Sequence, residues 1–164
     1  MPVRNVVTYP HPALKRRASE VDSFTPQVAC ISQDLVDTMR AHPGCVGLAA
    51  PQIDENHRII VVDVSAHPKS TASHGMLVLV NPVIVTVEGQ EIGREGCLSL
   101  PKITANVSRG KRIVFEGALP DGTPFRSFTG GFEARALLHE IDHLDGILIL
   151  DRVSSPSEIF ERRQ

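Results

Sequence analysis

The segment His139-Glu140-Ile141-Asp142-His143 sets two imidazoles four residues apart, with a carboxylate next to the first. On a helix, positions i and i+4 share one face, so the two rings can reach one cation. Glu140 then stands beside that ion, where a carboxylate can take the proton of a bound water. That is the chemistry of metal-assisted hydrolysis. Helical histidines also pack at surfaces with their ring nitrogens bonded to water or backbone, so a third ligand decides between the two readings.

Several positions compete for that role. One class of zinc peptidases places a His six residues after the second His; that position is Ile149 here, which cannot ligate. Another class uses a downstream Glu, and Glu161 stands near the end of the sequence with little chain after it to hold it. Cys97 is the leading candidate. In Glu95-Gly96-Cys97-Leu98-Ser99-Leu100-Pro101 an acid, a Gly that permits close backbone approach and a thiol bounded by apolar residues come together. A thiolate and two imidazoles leave the fourth tetrahedral position to water, as a catalytic centre requires. A lone Cys is also an ordinary small buried hydrophobe, and Cys30, in a helical stretch without polar company, is read that way.

Cys45-Val46-Gly47-Leu48-Ala49-Ala50-Pro51-Gln52 is a run of small residues that lets backbone pass close to backbone or to a ligand. Gln52 adds a side-chain amide able to donate to an oxyanion. By itself the run equally suits a tightly packed strand and turn.

Helices and strands must position these groups. Thr25-Pro26 reads as N-cap and first helical residue, and Val28, Ile31, Leu35 and Met39 form a helical stripe that ends at His42-Pro43-Gly44. Short β-branched runs at 58–64, 76–80, 83–87, 103–107 and 112–115 predict strands. Leu119-Pro120-Asp121-Gly122-Thr123-Pro124 reads as a hairpin turn, and 67–73 as a freely variable surface loop. Phe132, Ala136, Leu137, Ile141 and Leu144 predict a second helix at about 132–145, stopped near Gly146, that carries the histidines. A final buried strand is expected at 147–150 and a last turn of helix at 157–163, within a short tail at 151–164. The pattern is that of one α+β domain over 1–164.

Composition narrows the partners. With 164 residues, 41% apolar and 22% charged, the chain suits one soluble globular domain. A formal charge of −2 gives no general attraction to nucleic acid or anionic membranes, and one Tyr with no Trp argues against a base-stacking platform. Cys30, Cys45 and Cys97 form no C-x-x-C pair, so they read as thiols in a reducing compartment. The opening has no apolar h-region, and the run Ile59-Ile60-Val61-Val62 stops at Asp63, far short of a span. The expected location is cytoplasmic.

Together, Cys45–Gln52, Glu95–Ser99 and His139–His143 resemble, in order, the three motifs of the peptide deformylases: Gly-x-Gly-x-Ala-Ala-x-Gln, Glu-Gly-Cys-Leu-Ser and His-Glu-x-x-His. Tyr9-Pro10-His11-Pro12-Ala13-Leu14 and His143-Leu144-Asp145-Gly146 add to the resemblance, which covers nearly the whole chain. It implies small antiparallel or mixed sheets packed around a central metal-binding helix, and a divalent metal on Cys97, His139 and His143. It implies Fe²⁺ as the physiological ion, with Zn²⁺, Ni²⁺ or Co²⁺ able to substitute; thiolate and imidazole alone would suggest zinc. The substrate it implies is the formyl-methionine end of a nascent peptide, paired with backbone at Val46, Gly47 and Gly96. Glu140 would move the proton, Gln52 and the Leu98 N–H would stabilise the oxyanion, and Arg109 would pair with Glu95.

The chain also departs from the family pattern. Cys45 replaces the first Gly of the first motif, Leu138 replaces a common Gln, and Thr104 replaces a common Arg. Glu161-Arg162-Arg163-Gln164 is a poor substitute for the longer basic helix that docks some members on the ribosome. Two alternatives remain open on the sequence: a paralogue acting on another N-acyl group, and a non-catalytic metal or thiol sensor using Cys97.

Overall fold

Pro26 occupies the first turn of the first helix, α1 (Pro26–Arg40), and Val28, Ile31, Leu35 and Met39 form its buried stripe. Thr25 is at the N-cap but its hydroxyl makes no cap bond; Pro26 has no N–H to satisfy, which lessens the need for one. Cys30 is exposed, contrary to expectation. It lies about 200° round the helix from Val28, on the face opposite the stripe. The computed structural model describes residues 3–162.

Beyond α1 come β1 (Gly47–Ala49), β2 (Ile59–Val62), β3 (Leu77–Glu88), β4 (Glu91–Cys97), β5 (Leu100–Arg109), β6 (Arg112–Ala118) and β7 (Pro124–Gly130). These are followed by α2 (Gly131–Leu144), α3 (Ile149–Arg152) and β8 (Ile159–Glu161). Two antiparallel sheets result, in the orders β1-β2-β3-β6-β7 and β4-β5-β8.

The larger sheet lies between the two long helices. Ile59 and Val61 pack with the α1 stripe, whereas Ile60 and Val62 pack with Ala134, Leu137, Ile141 and Leu144 of α2. A strand covered on both faces has no polar side to show, which accounts for the unbroken run 59–62. Leu14, Leu100, Val107, Leu148 and Ile149 close a third cluster around Cys97.

Several expectations need correction. The runs 76–80 and 83–87 are one strand, β3, interrupted at Asn81 (φ 52°) with a register shift between Val80 and Val83. Asn tolerates the left-handed region, and its amide exchanges hydrogen bonds with the Val21 backbone at 2.9 Å. β4 was not expected, because Glu91, Arg94 and Glu95 break any apolar alternation. Residues 147–150 form no strand: the Asp151 carboxylate accepts from the Leu148 N–H at 2.8 Å and starts α3 there. The expected helix at 157–163 is a 3₁₀ turn at Pro156–Glu158 followed by β8, which pairs with β5; Arg163 lies outside the described residues.

The loop at 67–73 is not free to vary as expected. His67 stacks on Phe132 with ring centroids 4.3 Å apart. Further along, His74 is fastened to Glu133, a fully buried acid on the first turn of α2. Glu133 accepts from the His74 backbone N–H and Nδ1 and from the Thr129 hydroxyl, each at 2.7 Å. Ser127 Oγ bonds the other ring nitrogen of His74 at 2.8 Å. Glu133→Ala would strip three donors, the buried Thr129 hydroxyl among them, of their acceptor. The expected loss is roughly 2–3 kcal/mol in equilibrium urea unfolding, and a change under about 0.5 kcal/mol would refute the clasp.

Candidate active site

β7 runs directly into α2 through Gly131 (φ 59°), whose N–H donates to Lys111 O at 3.0 Å. That turn needs a residue at ease in the left-handed region, and it fixes the rotational phase of the helix. With Leu137, Ile141 and Leu144 committed to the sheet, His139, Glu140 and His143 turn toward the β4–β5 hairpin. Cys97 ends β4 at the register shift of that hairpin. The N-terminal segment straps the hairpin turn, since Ser99 Oγ donates to Val7 O at 2.8 Å and the Tyr9 N–H donates to Ser99 O at 2.9 Å.

Cys97, His139 and His143 converge, with one ligand atom from each lying within 4.8 Å of the others. Cys97 Sγ is 3.4 Å from His143 Nε2. His139 gives its Nδ1 to Glu95 at 2.8 Å, which leaves Nε2 for the centre. Such an outer hydrogen bond fixes both tautomer and ring orientation in metal-binding histidines. Glu140 is buried and its Oε1 has no partner, a costly state for a carboxylate unless a cation stands beside it. Donor chemistry and orphaned acceptor both suit a divalent ion, so this group can hold one.

Glu95 gathers an unusual set of donors. Arg109 binds it twice, through Nε and Nη2 at 2.9 Å each, and Arg135 Nη1 adds a bond at 2.7 Å. Burial would raise its pKa, but bonds from His139 and Arg109 hold the carboxyl well below the usual range. Arg109 also donates to Asp142 at 2.6 Å, and Arg152 donates to the same carboxylate at 2.7 Å. Burial likewise works against the Cys97 thiolate, yet His143 and His139 draw its pKa well below that of a free thiol. For Glu140, burial prevails and pushes the carboxyl up to about 7.

The centre lies on the floor of a cleft of about 300 Å³ between β1 and β4, each the edge strand of its sheet. Val46 and Gly47 line one side and Gly96 the other. Gly47 is required by a close approach: a Cβ there would lie 2.7 Å from Glu140 Oε2. Gln52 is buried, accepting from the Ala49 N–H at 3.0 Å and donating to Ser99 Oγ at 3.1 Å and Cys97 Sγ at 3.6 Å. Leu98 follows Cys97, and no acceptor among the described residues takes its N–H.

The departures have structural explanations. Cys45 donates its thiol to Gly47 O at 3.1 Å, and burial pushes its pKa up to about 12, so it stands as an unreactive thiol at the cleft wall. Leu138 packs partly buried against the core under α2. Thr104 accepts from Arg94 Nη1 at 3.3 Å. The sequence reading missed His67, Lys69, Arg94, Arg135 and Arg162 at the cleft. An arginine or lysine carries no local sign of what it faces; only the Arg94–Glu95–Gly96 contiguity offered a clue.

Residues 3–158 match the model of the polypeptide deformylase family. The chain belongs to that family. It is 43% identical to a peptide deformylase of Desulforudis audaxviator over 100% of both sequences, and 41% identical to one of Dictyoglomus thermophilum over 92% of each. The crystal structure of the peptide deformylase from Thermotoga maritima superposes with a TM-score of 0.86 at 33% identity, covering 94% of this chain and 100% of that one. The deformylase fold and the α+β class expected from sequence are therefore those of the protein.

The Glu95–Arg109–Asp142 network makes a specific demand. Arg109→Ala leaves two buried carboxylates short of a cation. Expected outcomes are roughly 3–5 kcal/mol of lost stability and metal binding weakened by about 10- to 100-fold through the loosened His139. Denaturant unfolding and competition with a chromophoric chelator measure the two effects, and the network has no such role if both are unchanged.

Proposed function

We propose that the chain, acting as one catalytic domain, removes the formyl group from the formyl-methionine end of nascent peptides and releases formate. The observation that carries this reading is the convergence of Cys97, His139 and His143 beside Glu140 beneath two free strand edges. Cys97, His139 and His143 would hold the metal. When bound, a divalent cation supplies Lewis acidity, lowers the pKa of a coordinated water towards about 7 and favours the ionised form of the neighbouring Glu140.

Glu140 takes the proton from the water that attacks the formyl carbon and returns it to the leaving amine nitrogen. Burial pushes the Glu140 carboxyl up and a bound cation would draw it down, so the two oppose each other at a group that must both accept and give a proton. The Gln52 amide, already directed at the Cys97 sulfur, and the Leu98 N–H stabilise charge that builds on the formyl oxygen. Backbone at Val46 and Gly47 on one side and Gly96 on the other pairs with the peptide as an added strand, so many sequences are accepted. Leu98, Phe132 and Ala136 offer apolar surface to the methionine.

Family resemblance favours Fe²⁺ as the resident ion, with Zn²⁺, Ni²⁺ or Co²⁺ able to replace it on the same ligands. A cytoplasmic site of action fits thiols kept reduced and a substrate made there. No described helix is long and apolar enough to cross a membrane.

Anaerobically purified protein with about one metal per chain should release formate from a formyl-Met tripeptide. Glu140→Ala should keep the metal and lose turnover by about 10²- to 10⁴-fold. Protein that binds no metal would refute the Cys97–His139–His143 centre. Gly47→Ala should retain its fold, yet lose about 10²-fold in kcat/KM as Glu140 is displaced; wild-type turnover would show that this close approach does not matter.

A further inference from the structure

The cleft carries a charge pattern that the proposed hydrolysis does not use. The chain has a formal charge of −2, yet Lys69, Arg94 and Arg162 line the cleft. Among the described residues no carboxylate forms an ion pair with any of them. The acids that face the same space, Glu95 and Glu140, lie on its floor, and Glu95 is already bound to Arg109, Arg135 and His139.

Two of the cations are held in place by the C-terminal strand. The Arg162 N–H donates to Lys102 O at 2.8 Å, extending the β8–β5 pairing. Its guanidinium lies against the open face of Gly96, where any Cβ would collide with it. Arg94 stacks 3.7 Å over the ring of Phe160, the β8 residue paired with Thr104. Its Nε donates to Asn106 Oδ1 at 3.0 Å and its Nη1 to Thr104 Oγ1 at 3.3 Å. Neutral partners orient the guanidinium without cancelling its charge; Glu158 binds the Asn106 amide at 2.7 Å instead of Arg94. Lys69 comes from the loop between β2 and β3.

We propose that Arg94, Arg162 and Lys69 form a carboxylate-selecting rim. Resting on the deformylase reading, it favours formyl-methionyl peptides with a negative charge shortly after the methionine. Along β4, Gly96 adjoins Cys97 and Arg94 stands two positions further out, about 7 Å at strand rise. A peptide paired with this edge, its formyl group at Cys97, therefore brings the second or third residue after methionine to the rim. The charge is supplied either by an acidic side chain or, in a short peptide, by the free C-terminal carboxylate.

The test compares formyl-Met-Ala-Glu-amide with its isostere formyl-Met-Ala-Gln-amide on the metal-loaded enzyme, with the free acid of the Gln peptide as a third arm. At low salt the Glu amide should show a KM about fivefold lower than the Gln amide, with the advantage shrinking as ionic strength rises. The third arm tells whether a terminal carboxylate serves as well as a side chain. In Arg162→Gln and in Arg94→Gln, the ratio of kcat/KM for Glu amide over Gln amide should fall towards one. Binding of the two amides to Glu140→Ala reads the same preference without turnover. Equal KM and equal affinity for both amides would overturn the rim, whereas no formate release from either would overturn the deformylase reading and leave the affinities to decide the rim.

Discussion

The structure turns on one buried carboxylate. Glu95 stands on the edge strand of the small sheet and binds His139 and Arg135 on α2 and Arg109 on β5. In a low-dielectric interior each of those groups would be costly alone. Together they lock the three-stranded sheet to the helix that the five-stranded sheet has already oriented. The same bond that joins the layers leaves His139 Nε2 pointing at Cys97 and His143. The fold and the convergence of Cys97, His139 and His143 therefore depend on the same carboxylate.

Around that contact the two sheets stop short of each other. β1 and β4 both present unpaired edges, ordinarily a liability for aggregation, and the space between them is the cleft above Cys97, His139 and His143. An extended peptide is the shape that satisfies two such edges at once. Gly47 and Gly96 keep the walls open for different reasons, one because Glu140 lies beneath it and the other because Arg162 lies over it. β8 therefore acts on the cleft although it pairs only with β5, on the side away from β4.

Much of this was legible in the chain. The i, i+4 histidines, the helix beneath them and the α1 stripe follow from local periodicity, which depends only on neighbours in sequence. That Cys97 joins the two histidines could be argued because a thiol flanked by Glu95 and Gly96 is chemically distinctive. The hairpin at 119–124 was readable from its turn residues, and its inner bond, Gly122 N–H to Leu119 O at 2.8 Å, is present. β4 and β8 were not readable. Their residues are polar or few, and what makes them strands is the partner β5 rather than any propensity of their own.

The sequence by itself determined the donor types of the candidate site, the two long helices and the family, because these rest on residue types at short spacings. Tertiary structure decided what those residues meet. Glu133 looked like an ordinary first-turn acid and proved to be a buried clasp for His74; Cys30 looked like core and faces solvent. Lys69, Arg94 and Arg162 came to line one cleft from a loop, from β4 and from the residue after β8, far apart in the chain. Charges act through space over several ångströms, whereas sequence patterns record only neighbours along the backbone, so the electrostatics of the cleft existed only once the sheets had packed.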